Sequence, residues 1–217
     1  MRFNHSLYLV ISAAACKGRA VADVAEQAIP GGVDIIQLRE KDFTTDAFLL
    51  SAAKLLAITS RYNVPLIIND NTIVASQIDA AGIHVGNNDV PAADLRADPI
   101  FRNKIIGYSV EHTDHLHNDQ ASAADYLGVS PVFKTQTKQD TVIEWGLDGI
   151  RKIRALTNKP LVAIGNINVS NAYDVIHAGA DCLAVVSAIC GATNPEKAAR
   201  ELMNEIKKAR SIRYAKI

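Results

Sequence analysis

The residues with the clearest chemical potential are Gln37-Leu38-Arg39-Glu40-Lys41, which close the apolar run Val33 to Ile36. Residues two apart on a strand share a face, so Gln37, Arg39 and Lys41 project together. Arg offers a planar donor fork and Lys a compact charge, a pairing suited to a polyanion such as a diphosphate. Taken alone, the same residues also fit an exposed strand end with solvated charges. Two carboxylates, Asp70 and Asp89, follow the next two apolar runs, and Lys138 adds a third cation. One or two carboxylates plus substrate phosphate oxygens are a usual way to hold Mg2+. Without a cation, two neighbouring carboxylates repel and one has its pKa raised. Each acid also precedes a helix and so fits an N-cap. Beside three cations, the metal-bound diphosphate is the stronger reading.

These residues recur at one kind of place. Short β-rich runs span Ser6–Ser12, Val33–Lys41, Pro65–Asp70, Gly82–Gly86, Lys104–Val110, Tyr126–Phe133, Pro160–Ile167 and Cys182–Ile189. Several are almost wholly apolar, as parallel strands covered on both faces are. Between them lie stretches with helical spacing, such as Phe48, Leu49, Ala52, Ala53, Leu55 and Leu56, or Leu147, Ile150 and Ile153. Gly31-Gly32, Gly82 and Gly179 mark helix-to-strand junctions, and Asp46, Thr113, Asn168 or Ser170, and Asn194 mark helix starts. Eight strand–helix repeats in 217 residues predict an α/β chain folded as a single (β/α)8 TIM barrel; a doubly wound open sheet is the alternative. The one domain spans 1–217, with 207–217 expected as a frayed C-terminal tail.

In such a barrel the carboxyl ends of the strands build the active site. Those positions hold Gln37, Arg39 and Lys41; Asn69 and Asp70; Asp89; Ser109; Thr135, Gln136, Thr137 and Lys138; Asn166; and Val186 with Ser187. The loops after strands 7 and 8 are small or flexible, so backbone N–H groups there can approach a phosphate. Two separate anion sites suit an enzyme joining two phosphorylated substrates.

Bulk properties narrow the partners. Lys plus Arg (23) equals Asp plus Glu (23), so nothing points to nucleic acid or an anionic membrane. No apolar stretch is long enough to span a bilayer. Leu7–Ile11 followed by Cys16 has the outline of a short signal ending in a lipid-accepting cysteine, but a first strand explains the same residues. Three cysteines without metal-ligand spacing fit a reducing cytoplasm, and the expected partners are small-molecule substrates. His112, His115 and His117 lack a helix-face spacing and are not taken as a metal site, nor is His84 taken as catalytic. Glu144 and Trp145 stand where a lid over the substrates would begin.

Gln-Leu-Arg-Glu-Lys, Ile-Asn-Asp at 68–70, Gly82-Ile83-His84-Val85-Gly86 with Asp89, Gly107-Tyr108-Ser109, Thr135-Gln136-Thr137-Lys138 and Ala184 to Ile189 together resemble the thiamine phosphate synthase family, in order from about residue 7 to about 206. The resemblance implies condensation of hydroxymethylpyrimidine diphosphate with thiazole phosphate, giving thiamine phosphate and diphosphate through a dissociated pyrimidine cation. It implies that Gln37, Leu38, Arg39, Glu40, Lys41, Asn69, Ser109 and Lys138 hold the pyrimidine diphosphate, with Arg39, Lys41, Lys138 and Ser109 catalytic. Asp70 and Asp89 would bind the Mg2+ cofactor. Thr135, Gln136, Thr137, Asn166, Val186 and Ser187 would hold the thiazole phosphate. No side-chain nucleophile is required. The chain departs from the family pattern at Asn166 (usually Gly), Asn71 (often an acid) and Asn87 (often Gln). Asn is the most tolerable replacement for Gly if position 166 needs a positive φ. A thiazole tautomerase paralogue and a non-catalytic phosphate-binding barrel are the competing readings; neither needs Arg39, Lys41, Asp70 and Asp89 together.

Overall fold

The structure is a computed structural model that describes residues 3–135 and 144–214. Eight parallel strands close into a barrel in chain order: β1 (Leu7–Ile11), β2 (Ile35–Leu38), β3 (Leu66–Asn69), β4 (Gly82–Val85), β5 (Ile105–Val110), β6 (Tyr126–Val129), β7 (Leu161–Ile164) and β8 (Cys182–Val185). β8 pairs back onto β1 through Tyr8 and Ala184, so the open-sheet alternative is excluded. Helices α1 (Val21–Ala28), α2 (Thr45–Arg61), α3 (Thr72–Gln77), α4 (Ala92–Ala97), α5 (Asp119–Ala123), α6 (Gly146–Leu156), α7 (Val169–Ala178), α8 (Ser187–Cys190) and α9 (Pro195–Tyr214) surround it.

Alternation along each strand divides the core. Leu7, Leu9, Ile11, Ile36, Leu38, Leu66 and Ile68 face the helices in one large cluster. Tyr8, Val10, Ile35, Ile67, Tyr126 and Val162 fill the barrel interior in another. Burying each such Leu or Ile contributes roughly 1.5–3 kcal/mol. Phe3 plugs the amino-terminal mouth, its ring centroid 4.5 Å from that of Tyr126.

That same end is pinned by three carboxylates standing just ahead of even-numbered strands. Asp34 accepts from the backbone N–H groups of Ser6 (2.8 Å) and Leu7 (3.1 Å). Asp125 accepts from Ile106 N–H (2.8 Å) and pairs with Arg96 at 2.6 Å. Asp181 accepts from Leu161 N–H (2.9 Å) and pairs with Arg154 at 2.7 Å. Each acid thus ties the first residues of one strand to the entry of the next.

Several boundaries differ from the sequence expectation. β8 stops at Val185, because Val186 leaves the extended region (ψ −83°) and Ser187–Cys190 turns helical. β6 stops at Val129 before Pro131, which has no N–H for the ladder. Pairing resumes one step later, with Val132 N–H donating to Ile164 O at 2.8 Å. Gly82 is no helix cap but the first residue of β4, where a Cβ would stand 2.2 Å from Ile105 O; Asp79 takes the positive φ at that junction. Gly32 and Gly179 do cap, at φ +115° and +128°. Helix starts fall on Thr44 rather than Asp46, on Asn118, on Asn168 and on Asn194. α9 continues through Lys207 to Tyr214, held by buried Ile206 and Ala209 and by Arg210, which donates to Ser6 Oγ at 2.7 Å. Leu7–Ile11 is a fully buried strand and Cys16 lies in the core, as strand and packing residues do. Among the described residues no helix is long and apolar enough to cross a membrane.

Candidate active site

Two cavities open at the carboxyl ends of the strands. The inner one, about 180 Å3, is lined by Gln37, Arg39, Lys41, Asn69, Asp70, Asp89 and Ser109, among others. The larger, about 590 Å3, lies over β6 to β8 and is lined by Arg39, Lys134, Thr135, Gly165, Asn166, Val186 and Ser187, among others. Arg39, Ser130 and Ile164 belong to both walls. The two cavities therefore adjoin, and Arg39 stands at their boundary.

The inner cavity is built by the strand period. Gln37, Asn69 and Ser109 are inward residues of β2, β3 and β5 and are nearly or fully buried. Leu38 points the other way, into the helix-facing core, and is wholly buried. Glu40 also turns aside: its carboxylate accepts from Ala13 N–H at 2.8 Å and clasps the loop after β2 to the loop after β1. Neither lines either cavity, unlike Arg39 and Lys41. Of Gln37 to Lys41, only the alternate residues face the site.

Asp70 sits at φ +59° directly after β3, its N–H held by His84 O at 2.9 Å. Its carboxyl is in hydrogen-bond contact with that of Asp89, and burial, then the charge of Asp89, pushes its pKa up to about 7, against Asn69 and Lys41. Neither acid caps a helix. Asn71 caps α3, accepting from Val74 N–H at 2.9 Å, and Pro91 occupies the cap position of α4. Asp89 instead accepts from Gly86 N–H at 2.7 Å, closing its own loop. Asn71, in place of a further acid, has a structural task. Two hard carboxylates, one pushed toward its protonated form by burial and by the other, beside Lys41 and open to a cavity, fit a Mg2+ site that would take its remaining oxygens from phosphate and water. Among the described residues no group of three or more His, Cys, Asp or Glu is placed to hold a metal alone.

In the larger cavity, Asn166 takes φ +51°, the left-handed conformation for which the family's usual Gly is suited. Its carbonyl accepts from Asn171 Nδ2 at 3.0 Å, and Asn171 also completes the capping box of α7 with Asn168. Gly165 cannot be replaced, since a Cβ would meet Pro131 at 2.7 Å. Gln136, Thr137 and Lys138 lie outside the described residues. Trp145 precedes α6, packs against the cluster around Leu127 and Ile153, and its backbone N–H donates to Pro131 O at 3.0 Å. It packs on the helix side of the barrel and lines neither cavity; the rest of the expected lid, residues 136–143, lies outside the described residues. His115 Nδ1 accepts from Glu111 N–H at 3.3 Å.

Sequence reasoning missed Lys134, a cation on the larger cavity, and the inward tyrosines Tyr8 and Tyr126 on the inner one. Lys134 was legible as the cation immediately before Thr135. The tyrosines carried no signal beyond their strand parity. His84 lines the inner cavity and bonds Ser109 Oγ at 2.9 Å.

A closed (β/α)8 barrel with two adjoining cavities, cations and a carboxylate pair at its strand ends has the build of an enzyme for small anionic substrates. The sequence profile of the family described as thiamine monophosphate synthase matches residues 7–189. Thiamine-phosphate synthase of Albidiferax ferrireducens is 45% identical over 196 residues, covering 90% of this chain and 89% of the relative. That of Chloroflexus aurantiacus is 44% identical, covering 90% of each. The solved thiamine phosphate pyrophosphorylase from Pyrococcus furiosus superposes with a TM-score of 0.84 at 33% identity, covering 95% of this chain and 97% of that one. The chain belongs to the thiamine monophosphate synthase family, and is by family a transferase enzyme of thiamine biosynthesis.

Proposed function

We propose that the inner cavity takes the hydroxymethylpyrimidine diphosphate and the larger cavity the thiazole phosphate, and that the chain joins them into thiamine phosphate with release of diphosphate. The observation that carries this reading is the position of Arg39, on the wall common to both cavities. A bond made between two substrates must form where their pockets meet.

Asp70 and Asp89 would hold Mg2+, which when bound would supply positive charge against the negative charge growing on the departing diphosphate. Arg39 and Lys41 bind the same oxygens from the protein side, with Lys138 assigned alongside by its place in the motif, so the leaving group meets preorganised cations. The methylene C–O bond breaks with its electron pair staying on diphosphate. The thiazole nitrogen lone pair then forms the new C–N bond. No proton has to be moved at the reacting atoms, so the pair formed by His84 and Ser109 in the inner cavity is not required as base and nucleophile.

The larger cavity has no Asp, Glu or His among its described lining residues, which disfavours a tautomerase acting there with a carboxylate or imidazole base. A cytoplasmic location is proposed on the reduced cysteines, all buried and unbridged. Equilibrium titration of the separate substrates tests the division of the site. Asp70→Asn should weaken Mg2+-dependent binding of the pyrimidine diphosphate at least tenfold and leave thiazole phosphate binding within twofold. Equal loss for both ligands overturns the assignment.

A further inference from the structure

Along the wall of the inner cavity, five polar side chains from five strands of the barrel join in one unbroken line. Gln37 Nε2 donates to Tyr8 Oη at 3.0 Å, Tyr8 Oη lies 3.0 Å from Tyr126 Oη, Tyr126 Oη lies 2.9 Å from His84 Nδ1, and His84 Nε2 lies 2.9 Å from Ser109 Oγ. The line runs from β2 through β1, β6 and β4 to β5, crossing the barrel interior. Room for it is made by glycine. A Cβ at Gly107 would stand 2.1 Å from Tyr126 Cζ and 2.5 Å from His84 Nδ1, and one at Gly128 would stand 3.1 Å from His84 Cε1.

The line has one direction. Each tyrosine has a single proton to give, and the Gln37 amide N–H already occupies Tyr8 as an acceptor. The Tyr8 proton needs an acceptor, and since Gln37 meets Tyr8 with an N–H, the acceptor at hand is Tyr126 Oη; Tyr126 in turn gives its proton to His84 Nδ1. That leaves the imidazole proton on Nε2, donated to Ser109 Oγ. Burial pushes both phenol pKa values upward, so the two hydroxyls keep their protons. At the two ends, Gln37 and Ser109 both line the inner cavity. With its amide nitrogen held toward Tyr8, Gln37 turns its carbonyl, an acceptor, away from Tyr8. With its lone pair engaged, Ser109 offers its O–H as a donor.

We infer that this hydrogen-bond chain fixes the polarity of the inner cavity, with Tyr126 and His84 as positioning residues that set Gln37 as an acceptor and Ser109 as a donor. The ligand it selects has an N–H to give at the Gln37 end and a lone pair or anionic oxygen at the Ser109 end. An aminopyrimidine diphosphate meets both demands, so the inference rests on the reading above for its ligand but not for its geometry.

Two measurements test it separately. Nitrogen-15 NMR of the ligand-free full chain, with His84→Gln to assign the signal, should show His84 bearing its proton on Nε2 and a bare, hydrogen-bonded Nδ1. Tyr126→Phe should shift the Nδ1 resonance, and should raise KM for the pyrimidine diphosphate about tenfold, the scale of one directed hydrogen bond, with KM for thiazole phosphate within twofold. Tyr8→Phe, which cuts the line nearer Gln37, should give the same KM split and stands in if Tyr126→Phe does not fold. A proton on Nδ1 in the wild-type chain overturns the direction of the line. A shifted His84 signal with both KM values unchanged overturns its role in ligand selection. Absence of thiamine phosphate synthesis by the wild-type chain would overturn the reading of the reaction and leave the NMR test standing.

Discussion

The carboxyl groups of Asp70 and Asp89, from the ends of consecutive strands, are in hydrogen-bond contact at the mouth of the inner cavity. Burial and the Asp89 charge lift Asp70 to about 7, so in the metal-free protein the pair shares a proton near neutrality.

That proton must leave before Mg2+ binds. Affinity for Mg2+ should rise about tenfold per pH unit below 7 and level off above it. Calorimetry in two buffers of different ionisation enthalpy should report about one proton released per Mg2+ at pH 6 and far less at pH 8. A pH-independent affinity would show that the pair is not the ligand set.

The same shift has a consequence for stability. An unfolded Asp titrates near ~4, while Asp70 in the native chain does so at about 7. Between those values the native state holds a proton that the unfolded state has lost, so metal-free stability falls as pH rises and is flat above 7. Asp70→Asn removes that loss, and Asn tolerates the positive φ at this position as Asp does. Its metal-free Tm should exceed that of wild type by roughly 3 °C at pH 8, with no difference at pH 4. Thermal melts in a chelator check both points.

Arg39 and Lys41 should separate by kinetics. Arg39 lines both cavities and Lys41 only the inner one. Arg39→Ala should raise KM for both substrates and lower kcat by about two to three orders of magnitude, the scale of losing one preorganised charge contact. Lys41→Ala should raise KM for the pyrimidine diphosphate alone. Initial rates with each substrate varied in turn decide this.

Asn166→Gly restores the family's usual residue at a left-handed position. It should change affinity for thiazole phosphate severalfold and leave pyrimidine diphosphate binding within twofold. Equal effects on both would mean that the larger cavity holds a different ligand.

Asp125→Ala removes the acceptor of Arg96 Nη2 and of the Ile106 N–H at the amino-terminal end of the barrel, far from the strand ends that carry the site, while Arg96 keeps the carbonyls of Ala123, Arg102 and Lys104. Loss of a partly buried pair plus a backbone hydrogen bond costs about 2–3 kcal/mol, lowering Tm by roughly 5–10 °C. KM values should stay as in wild type.

The barrel was legible because its signal is redundant: eight apolar runs, each followed by helical spacing, permit few folds. The alternate residues of Gln37 to Lys41 were legible for the same reason, since period two needs only the strand to be placed. Leu38 and Glu40 were swept in by motif, although the same parity sends them outward to the core and to Ala13. The competition between capping and metal binding at Asp70 could not be resolved from sequence, because a one-residue shift decides it: Asn71, not Asp70, is the cap. The end of β8 depended on backbone angles at Val186 that an apolar run does not encode. The line from Gln37 to Ser109 was invisible, because its members are scattered from residue 8 to residue 126 and meet only in the closed barrel.

The central claim is that two adjoining cavities bring two phosphorylated substrates together around a carboxylate-held cation. Incubating the chain with hydroxymethylpyrimidine diphosphate and thiazole phosphate, with Mg2+ or with chelator, and quantifying thiamine phosphate and diphosphate tests it most directly. The two products should appear in equal amounts with Mg2+ and fall by at least a hundredfold in chelator and in Asp70→Asn. Absence of product with Mg2+, or synthesis indifferent to both chelator and Asp70→Asn, would contradict it.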